Sequence, residues 1–437
     1  SGLLIKIFTS IKSVYYKGVN SFVLRQFCSK INTTVFSTTI ICLMLFITIS
    51  VLSAALSMKN SMSSDFKKMC PVDIQFTKIS YEALKEAYAT ADKDSDDYEK
   101  TTKILEDSKL SISDTLKNNG FDVDEYLKNM TEYSVYQTGL EEMDTLGILA
   151  DEICEKYQMV SFLSPVNFMK LSDYNKIATL YGNETYSLGD NEYLIVANFK
   201  TVADIRNMAL KAGTKIDING KTYSPKYQEC KDGFIELASQ HINDGIFIVP
   251  DDALTDSQLY KCGMTADYKA DSKEEKYDIE NKLDDISKNI FNQTSYLSYN
   301  SKIDLAEASV GLGALVTFIA LYLGIIFLIS SAAILALKEL SDSADNRERY
   351  GMIRKIGVDE KMINMALFKQ IGIFFAFPLL LAIIHSVFGI KFINLILQTM
   401  GMSSMLASVG ITFVFLVVIY GGYFIITYLC SKSIIRP

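Results

Sequence analysis

Histidine and the short nucleotide and hydrolase motifs are the features that most often reveal an active site, and this chain offers few of them. Its two histidines, His241 and His385, are far apart in the sequence, so a histidine-based triad or metal cluster is difficult to build. There is no G-x-x-x-x-G-K-[ST] phosphate loop, no H-E-x-x-H and no G-x-S-x-G. We therefore predict no catalytic residues on this chain, and no cofactor held by it.

Metal and disulfide patterns are equally weak. The run from Asp92 to Asp96 (DKDSD) resembles the start of a calcium loop, but Asp97 replaces the glycine of its turn and Lys103 replaces its bidentate glutamate. We therefore predict no metal site. Four cysteines are widely and irregularly spaced, which gives neither a disulfide framework nor a paired CxxC zinc pattern; they are Cys70, Cys154, Cys230 and Cys262.

One short segment, residues 347–357, combines charged residues with a few apolar side chains. Tyr350, Met352, Ile353 and Ile356 alternate with basic residues, and a short helix bounded by Gly351 and Gly357 would present them to a groove and its arginines to an acidic rim. The alternative is an ordinary charged turn between two membrane spans. The candidate contact residues are Arg347, Glu348, Arg349, Tyr350, Gly351, Met352, Ile353, Arg354, Lys355, Ile356 and Gly357.

The elements that must position this segment are membrane helices. Charge is absent from Ile31 to Met58, from Ala308 to Leu337, from Gln370 to Ile390 and from Phe392 to Ser431, and each stretch exceeds the roughly 20 apolar residues that cross a bilayer. Lysine and arginine concentrate before the first stretch and between the second and third, which predicts that these parts and both termini are cytoplasmic. The predicted spans are residues 34–58, 308–337, 370–390 and 405–428, followed by a cytoplasmic tail at 429–437.

Residues 59–303 form the one long segment outside these spans, and we expect them to be an extracellular mixed α/β domain on a helical stalk. From Ser57 to Ile303 there are 43 acidic and 28 basic residues, a net charge of −15, which would keep an exposed domain soluble or attract cationic ligands. Alternating or apolar runs predict strands at 72–77, 193–197 and 246–249, and Asn219-Gly220 predicts a two-residue hairpin turn. Helices are predicted at 81–90, 91–118, 171–181 and 272–289, the third closed by Gly182.

The first 33 residues are basic and include an apolar start at Leu3–Phe8. We interpret that start as the cytoplasmic end of an upstream helix, followed by a linker and an amphipathic elbow helix. The chain is then expected to be the C-terminal part of a longer permease. A self-contained four-span protein is the alternative.

Three stretches resemble a known family. RERYGMIRKIGVDEKMINMALFKQIG (residues 347–372) is similar to the loop between the second and third helices of FtsX-like ABC-transporter permeases. YYKGVNSFVLRQFCSKINT (15–33) and MKLSDYNKIATLYGNETYSLGDNEYLIV (169–196) resemble the bacitracin-resistance, or BceB-type, permeases. The resemblance implies an α-helical membrane protein of two-sided FtsX/MacB-like topology, with the α/β domain inserted between the first and second helices.

The resemblance also implies a function. It predicts a multi-pass permease in a bacterial cell membrane. ATP and magnesium would be bound by a separate, dimeric ABC ATPase that docks on residues 347–357 (the coupling helix). Its action would confer resistance to peptide antibiotics that target lipid-linked cell-wall precursors, with signalling to a membrane histidine kinase. An upstream half of the same permease would be a further partner, and nucleic acid would not. Alternative functions are a sensor paired with the kinase, a self-contained mechanotransmission permease, and a surface enzyme.

Overall fold

The computed structural model describes residues 20–88, 98–158, 160–290, 297–399 and 406–436. The chain forms two compact units. The helical unit contains Ser1–Asn60, Leu312–Leu397 and Ser403–Pro437, and the sheet unit contains Ser61–Gly311 with Gln398–Met402. The apolar start at Leu3–Phe8 and the acidic run Asp92–Asp97 lie outside the described residues.

Thirteen α-helices occur in the described residues. In chain order they are α1 (Asn20–Met69), α2 (Tyr81–Tyr88), α3 (Tyr98–Ser108), α4 (Ile112–Asn118), α5 (Val123–Tyr126), α6 (Ala150–Lys156), α7 (Leu171–Tyr181), α8 (Lys200–Lys211), α9 (Lys273–Ile290), α10 (Lys302–Asp345), α11 (Arg347–Lys355), α12 (Glu360–Thr399) and α13 (Leu406–Ile434). Three short 3₁₀ helices join them at Glu142–Leu149, Asp251–Ala253 and Asp256–Gln258.

Four of these helices, α1, α10, α12 and α13, are long and apolar enough to cross a membrane, and they correspond to the four predicted spans. Each extends well past the predicted bounds. At 1.5 Å per residue, the 44 residues of α10 measure about 66 Å, roughly twice the hydrocarbon thickness. Helix α12 continues through Pro378 and past Lys391, and the described part of the predicted elbow segment is the beginning of α1.

The helical unit has an aliphatic core to which all four long helices contribute. Its fully buried members come from one face of each helix, as expected for packed membrane helices. Tyr420 is buried and its hydroxyl donates to the carbonyl oxygen of Phe375 at 2.8 Å. The core includes Ile41, Leu45, Leu328, Leu335, Ile363, Leu367, Ile371 and Leu416.

A nine-stranded mixed sheet organises the sheet unit, in the order β5-β6-β4-β7-β3-β2-β8-β1-β9. Its pairs are antiparallel except for β3 with β7 and β4 with β6, which are parallel. The strands are β1 (Ile74–Ile79), β2 (Leu127–Tyr136), β3 (Phe168–Lys170), β4 (Glu192–Val196), β5 (Ile216–Ile218), β6 (Lys221–Pro225), β7 (Ile246–Val249), β8 (Leu259–Tyr268) and β9 (Leu297–Ser301).

Two predicted turns in this unit, both at residues with a positive φ, are confirmed. Asn219 and Gly220 have φ of 53° and 78°, the left-handed pair that a tight β5–β6 hairpin requires. Gly182 closes α7 with φ of 72°. The helical segment predicted at 91–118 is helical over its described part and consists of two helices, because Ser111 caps a new helix, α4, by accepting a hydrogen bond from the Asp114 backbone N–H at 3.0 Å.

Two buried polar groups stabilise the sheet unit. The Gln75 side chain on β1 donates to Tyr133 Oη at 2.7 Å and accepts from the Leu237 backbone N–H at 2.8 Å. Glu280 on α9 is 5% exposed and accepts a hydrogen bond from Tyr268 Oη at 2.9 Å. Burial raises the pKa of Glu280 to about 7, because the low-dielectric interior disfavours its charged form.

Candidate functional site

Helix α11 connects α10 to α12 and contains most of the predicted contact residues. One of its faces is fixed against the helical unit. The Asn346 side chain donates to the carbonyl oxygen of Asp342 at 2.8 Å, and the fully buried Tyr350 donates its hydroxyl to Gln370 Oε1 at 3.0 Å. Burial also raises the pKa of Tyr350, so the hydroxyl stays protonated and remains a donor.

Arg354 holds the C-terminal end of α11. Its Nη1 donates to the carbonyl oxygen of Ile435 at 2.8 Å, and its Nε donates to Glu360 Oε1. The Arg354 side chain is 17% exposed, so little of it is available to a partner protein. The guanidinium therefore ties α11 to the start of α12 and to the residue after α13.

The end of α11 is defined by a Schellman motif. Gly357 has φ of 88°, its N–H donates to the Arg354 carbonyl at 2.9 Å, and the Val358 N–H donates to the Ile353 carbonyl at 3.2 Å. This is the paired bonding that ends a helix at a left-handed residue. Val358 and Ile353 both pack against the core of the helical unit, as the motif's apolar contact requires.

The opposite face of α11 is open. Met352 and Ile356 are 58% and 78% exposed, and residues four apart lie on the same side of a helix. Arg349 precedes Met352 by three positions and is also exposed. Met352 and Ile356 thus form an exposed apolar pair beside basic residues, on a helix whose position is fixed. Such an arrangement has the form of a docking surface.

The structure divides the eleven predicted residues into three groups. Tyr350 is buried; Gly351, Ile353 and Arg354 are half-buried; Arg347, Glu348, Arg349, Met352, Lys355, Ile356 and Gly357 are exposed. Two expectations are therefore corrected. Tyr350 and Ile353 pack against the protein instead of entering a partner groove, and Tyr350 lies almost opposite Met352 because two residues are about 200° apart around a helix. Gly351 lies inside α11 instead of bounding it.

Sequence reasoning missed the groups that anchor α11. Gln370 was assigned to the first position of a span, Glu360 to the loop, and Ile435 to the tail. The one available signal was Gln370, a polar side chain at the beginning of an apolar stretch. A buried amide in a membrane helix needs a hydrogen-bond partner, so Gln370 indicates a contact with a neighbouring element.

The metal-ligating and nucleophilic side chains are dispersed over the described residues. No three of their His, Cys, Asp and Glu side chains are grouped closely enough to hold a metal ion. The thiols of Cys70, Cys154, Cys230 and Cys262 are free, and burial raises the pKa of Cys70 to about 11. Lys78, 3% exposed on β1, forms an ion pair with Asp107 at 3.1 Å and donates to the Leu110 carbonyl at 3.2 Å, so its role is structural.

In chain order, the protein has four helices long enough to span a membrane, a mixed sheet unit between the first two, and a short anchored helix between the second and third. These features are those of a membrane protein. Comparison with known proteins shows which class it is similar to. The chain is 31% identical over 93 residues to the ABC transporter permease protein YxdM of Bacillus subtilis, a match that covers 21% of this chain and 15% of that protein.

Two further relatives are bacitracin export permeases. The bacitracin export permease protein BceB of Bacillus subtilis is 34% identical over 92 residues, covering 21% of this chain and 14% of that protein. BceB of Halalkalibacterium halodurans is 28% identical over 105 residues, covering 23% and 16%. No protein-family model matches the chain.

The chain is thus similar to ABC-transporter permeases of the BceB type, as its sequence predicted. The similarity spans about a fifth of this chain and 14 to 16% of each relative's length.

Proposed function

We propose that this chain forms part of the permease of an ABC transporter that confers resistance to peptide antibiotics directed at the cell wall. The observation that carries the proposal is α11, a helix fixed by Tyr350 and Arg354 that presents Met352 and Ile356 to solvent. The similarity to bacitracin export permeases supports the same class.

In this proposal a separate ABC ATPase binds and hydrolyses ATP with magnesium and docks on the open face of α11. Because α11 follows α10 and precedes α12, a displacement of α11 would move both helices. The high content of lysine and arginine in the loop that contains α11 supports a cytoplasmic position for α11 and an extracellular position for the sheet unit. Movement of the sheet unit would then release the antibiotic from its lipid-linked precursor.

The experiment is isolation of the tagged natural permease and identification of what is bound to it. We expect an ABC ATPase to be bound, and we expect the double variant Arg354→Glu, Gly357→Pro to lose it. The glutamate would repel Glu360, and proline cannot adopt the positive φ of position 357. Gly421→Ala, in α13 and outside the segment, is the control, because no atom lies within 4 Å of its added Cβ.

Equal ATPase recovery from the double variant and the control would refute the role of α11. A membrane histidine kinase bound in place of any ATPase would instead favour a receptor. Recovery of both proteins would fit a transporter that also signals.

A further inference from the structure

Three serines follow one face of α1 inside the helical unit. Ser50, Ser53 and Ser57 are spaced by three and four residues, so they lie one above the other about one turn apart. Their exposures are 3%, 0% and 2%. The buried face of α1 therefore contains a column of three hydroxyl groups, which we call the serine column.

Only the middle member of the column is paired in the part of the chain that the structure describes. Ser53 Oγ donates to Thr412 Oγ1 on α13 at 3.0 Å, whereas the hydroxyls of Ser50 and Ser57 have no hydrogen-bond partner among those residues. Thr48, on the same helix, bonds back to the Met44 carbonyl at 2.8 Å. The column thus offers Thr412 three chemically equivalent donors, one of which is in use.

The neighbouring helices present glycine to α1 at the level of the column. A Cβ added to Gly389 of α12 would lie 2.8 Å from Phe46 Cε2 and 3.0 Å from Ser50 Oγ, and one added to Gly324 of α10 would lie 3.6 Å from Thr48 Cγ2. Glycine at these two positions lets α1 approach its neighbours closely. The Phe46 ring lies against Gly389, so a shift of α1 along its axis must move this ring out of the space that the glycine leaves.

The length of the charge-free stretch also permits such motion. Residues 31–58 carry no charge, and as a helix they measure about 42 Å against about 30 Å of hydrocarbon. A shift by one turn, about 5.4 Å, is smaller than this excess. Charged residues at the two ends of the stretch can therefore stay out of the hydrocarbon.

We propose that α1 is a sliding element that moves by one helical turn, with Thr412 exchanging Ser53 for Ser50 or Ser57. Discrete one-turn shifts between packed elements are an established form of conformational switching. The inference rests on the proposed function, because ATP hydrolysis by a partner would drive the shift. Since α1 continues unbroken to Met69, the shift would carry the C-terminal residues of the helix with it.

Disulfide cross-linking tests the register of α1. In the full natural permease with its ATPase, Cys42 and Cys430 are replaced by alanine, and Thr412→Cys is combined in turn with Ser50→Cys, Ser53→Cys or Ser57→Cys. We expect the Ser53 pair to dominate without nucleotide. With ATP and vanadate we expect it to fall at least about threefold as the Ser50 or Ser57 pair rises, which is a change of about 0.65 kcal/mol in the equilibrium between the two registers. Val51→Cys, on the exposed side of α1, is the control.

A second variant tests the sliding itself. The methyl of Gly324→Ala would make ordinary contacts with Thr48 and Leu52 in the present register, but it would obstruct a shifted α1. We expect it to retain the ATPase and to hold cross-linking in the Ser53 register. Gly421→Ala, which adds the same methyl where no atom lies within 4 Å, should change nothing.

The sliding proposal is overturned if the Ser50 and Ser57 pairs never exceed the Val51 control, or if Gly324→Ala and Gly421→Ala behave alike. The nucleotide-free yield of the Ser53 pair tests the register seen here, and the exchange with ATP and vanadate tests the sliding in preparations whose bound ATPase is verified. Absence of a bound ATPase would count against the proposed function, independently of the cross-linking result.

Discussion

The open face of α11 makes a quantitative prediction for the double variant Met352→Ser, Ile356→Ser. Full burial of one such side chain contributes about 1.5 to 3 kcal/mol, and these two are 58% and 78% exposed. Docking of an ATPase over both would therefore contribute about 2 to 4 kcal/mol, so their loss should raise the Kd by about 30-fold to about 1,000-fold.

The folded state should tolerate this change. Both side chains point away from the helical unit, and substitutions at such surface positions change the free energy of unfolding by about 0.5 kcal/mol or less. The assay is titration of the purified ATPase onto the permease in nanodiscs, with thermal unfolding of each variant measured in parallel. Ile148→Ser is the matched control, since Ile148 is an equally apolar, 92% exposed residue of the sheet unit.

The double variant must first unfold at the same temperature as the unmodified protein. The reasoning is then refuted if its Kd for the ATPase is within about threefold of that of the Ile148→Ser control, a difference of less than about 0.7 kcal/mol. The contact would then have to lie elsewhere on the loop.

Three further predictions concern stability, each checked by thermal or chemical unfolding. Tyr350→Phe should lower the free energy of unfolding of the helical unit by about 1 to 2 kcal/mol, because the buried Gln370 loses its donor. The pKa of Glu280 in the folded protein is about 7, above the 4.5 of an exposed glutamate. The sheet unit should therefore lose about 2.5 kcal/mol of stability as pH rises from 4.5 to 7, and Glu280→Gln should remove that dependence. Gly182→Val should cost about 1 to 2 kcal/mol and Gly182→Asn less, because asparagine tolerates the left-handed region; equal losses would contradict this explanation.

Sequence alone located the features that depend on few residues close together in the chain. The four spans follow from the absence of charge over a bilayer's thickness, and no tertiary contact is needed to impose that constraint. The Asn219-Gly220 hairpin and the Gly182 helix end were predictable for a similar reason, because only a few residue types adopt a positive φ at low cost. The similarity to ABC permeases was also visible in the local sequence of the coupling segment.

The strands at the centre of the sheet could not be found in this way. Strands β2 and β8 are each ten residues long, yet polar residues and the positive φ of Asn129 interrupt their alternation. Their pairing depends on partners distant in the chain, such as Tyr133 opposite Gly263, where the absent glycine side chain leaves room for the tyrosine ring.

The same division holds at the candidate site. The sequence by itself determined that a charged segment with an apolar set separates two spans. Only the tertiary structure decided which residues of the set face outward. Tyr350 and Met352 are both apolar residues of one short helix, and their roles diverge because Gln370 and the helical core lie on one side of it. Which face of a helix is covered is a property of its neighbours, and the neighbours of α11 come from the first part of α12 and the end of α13.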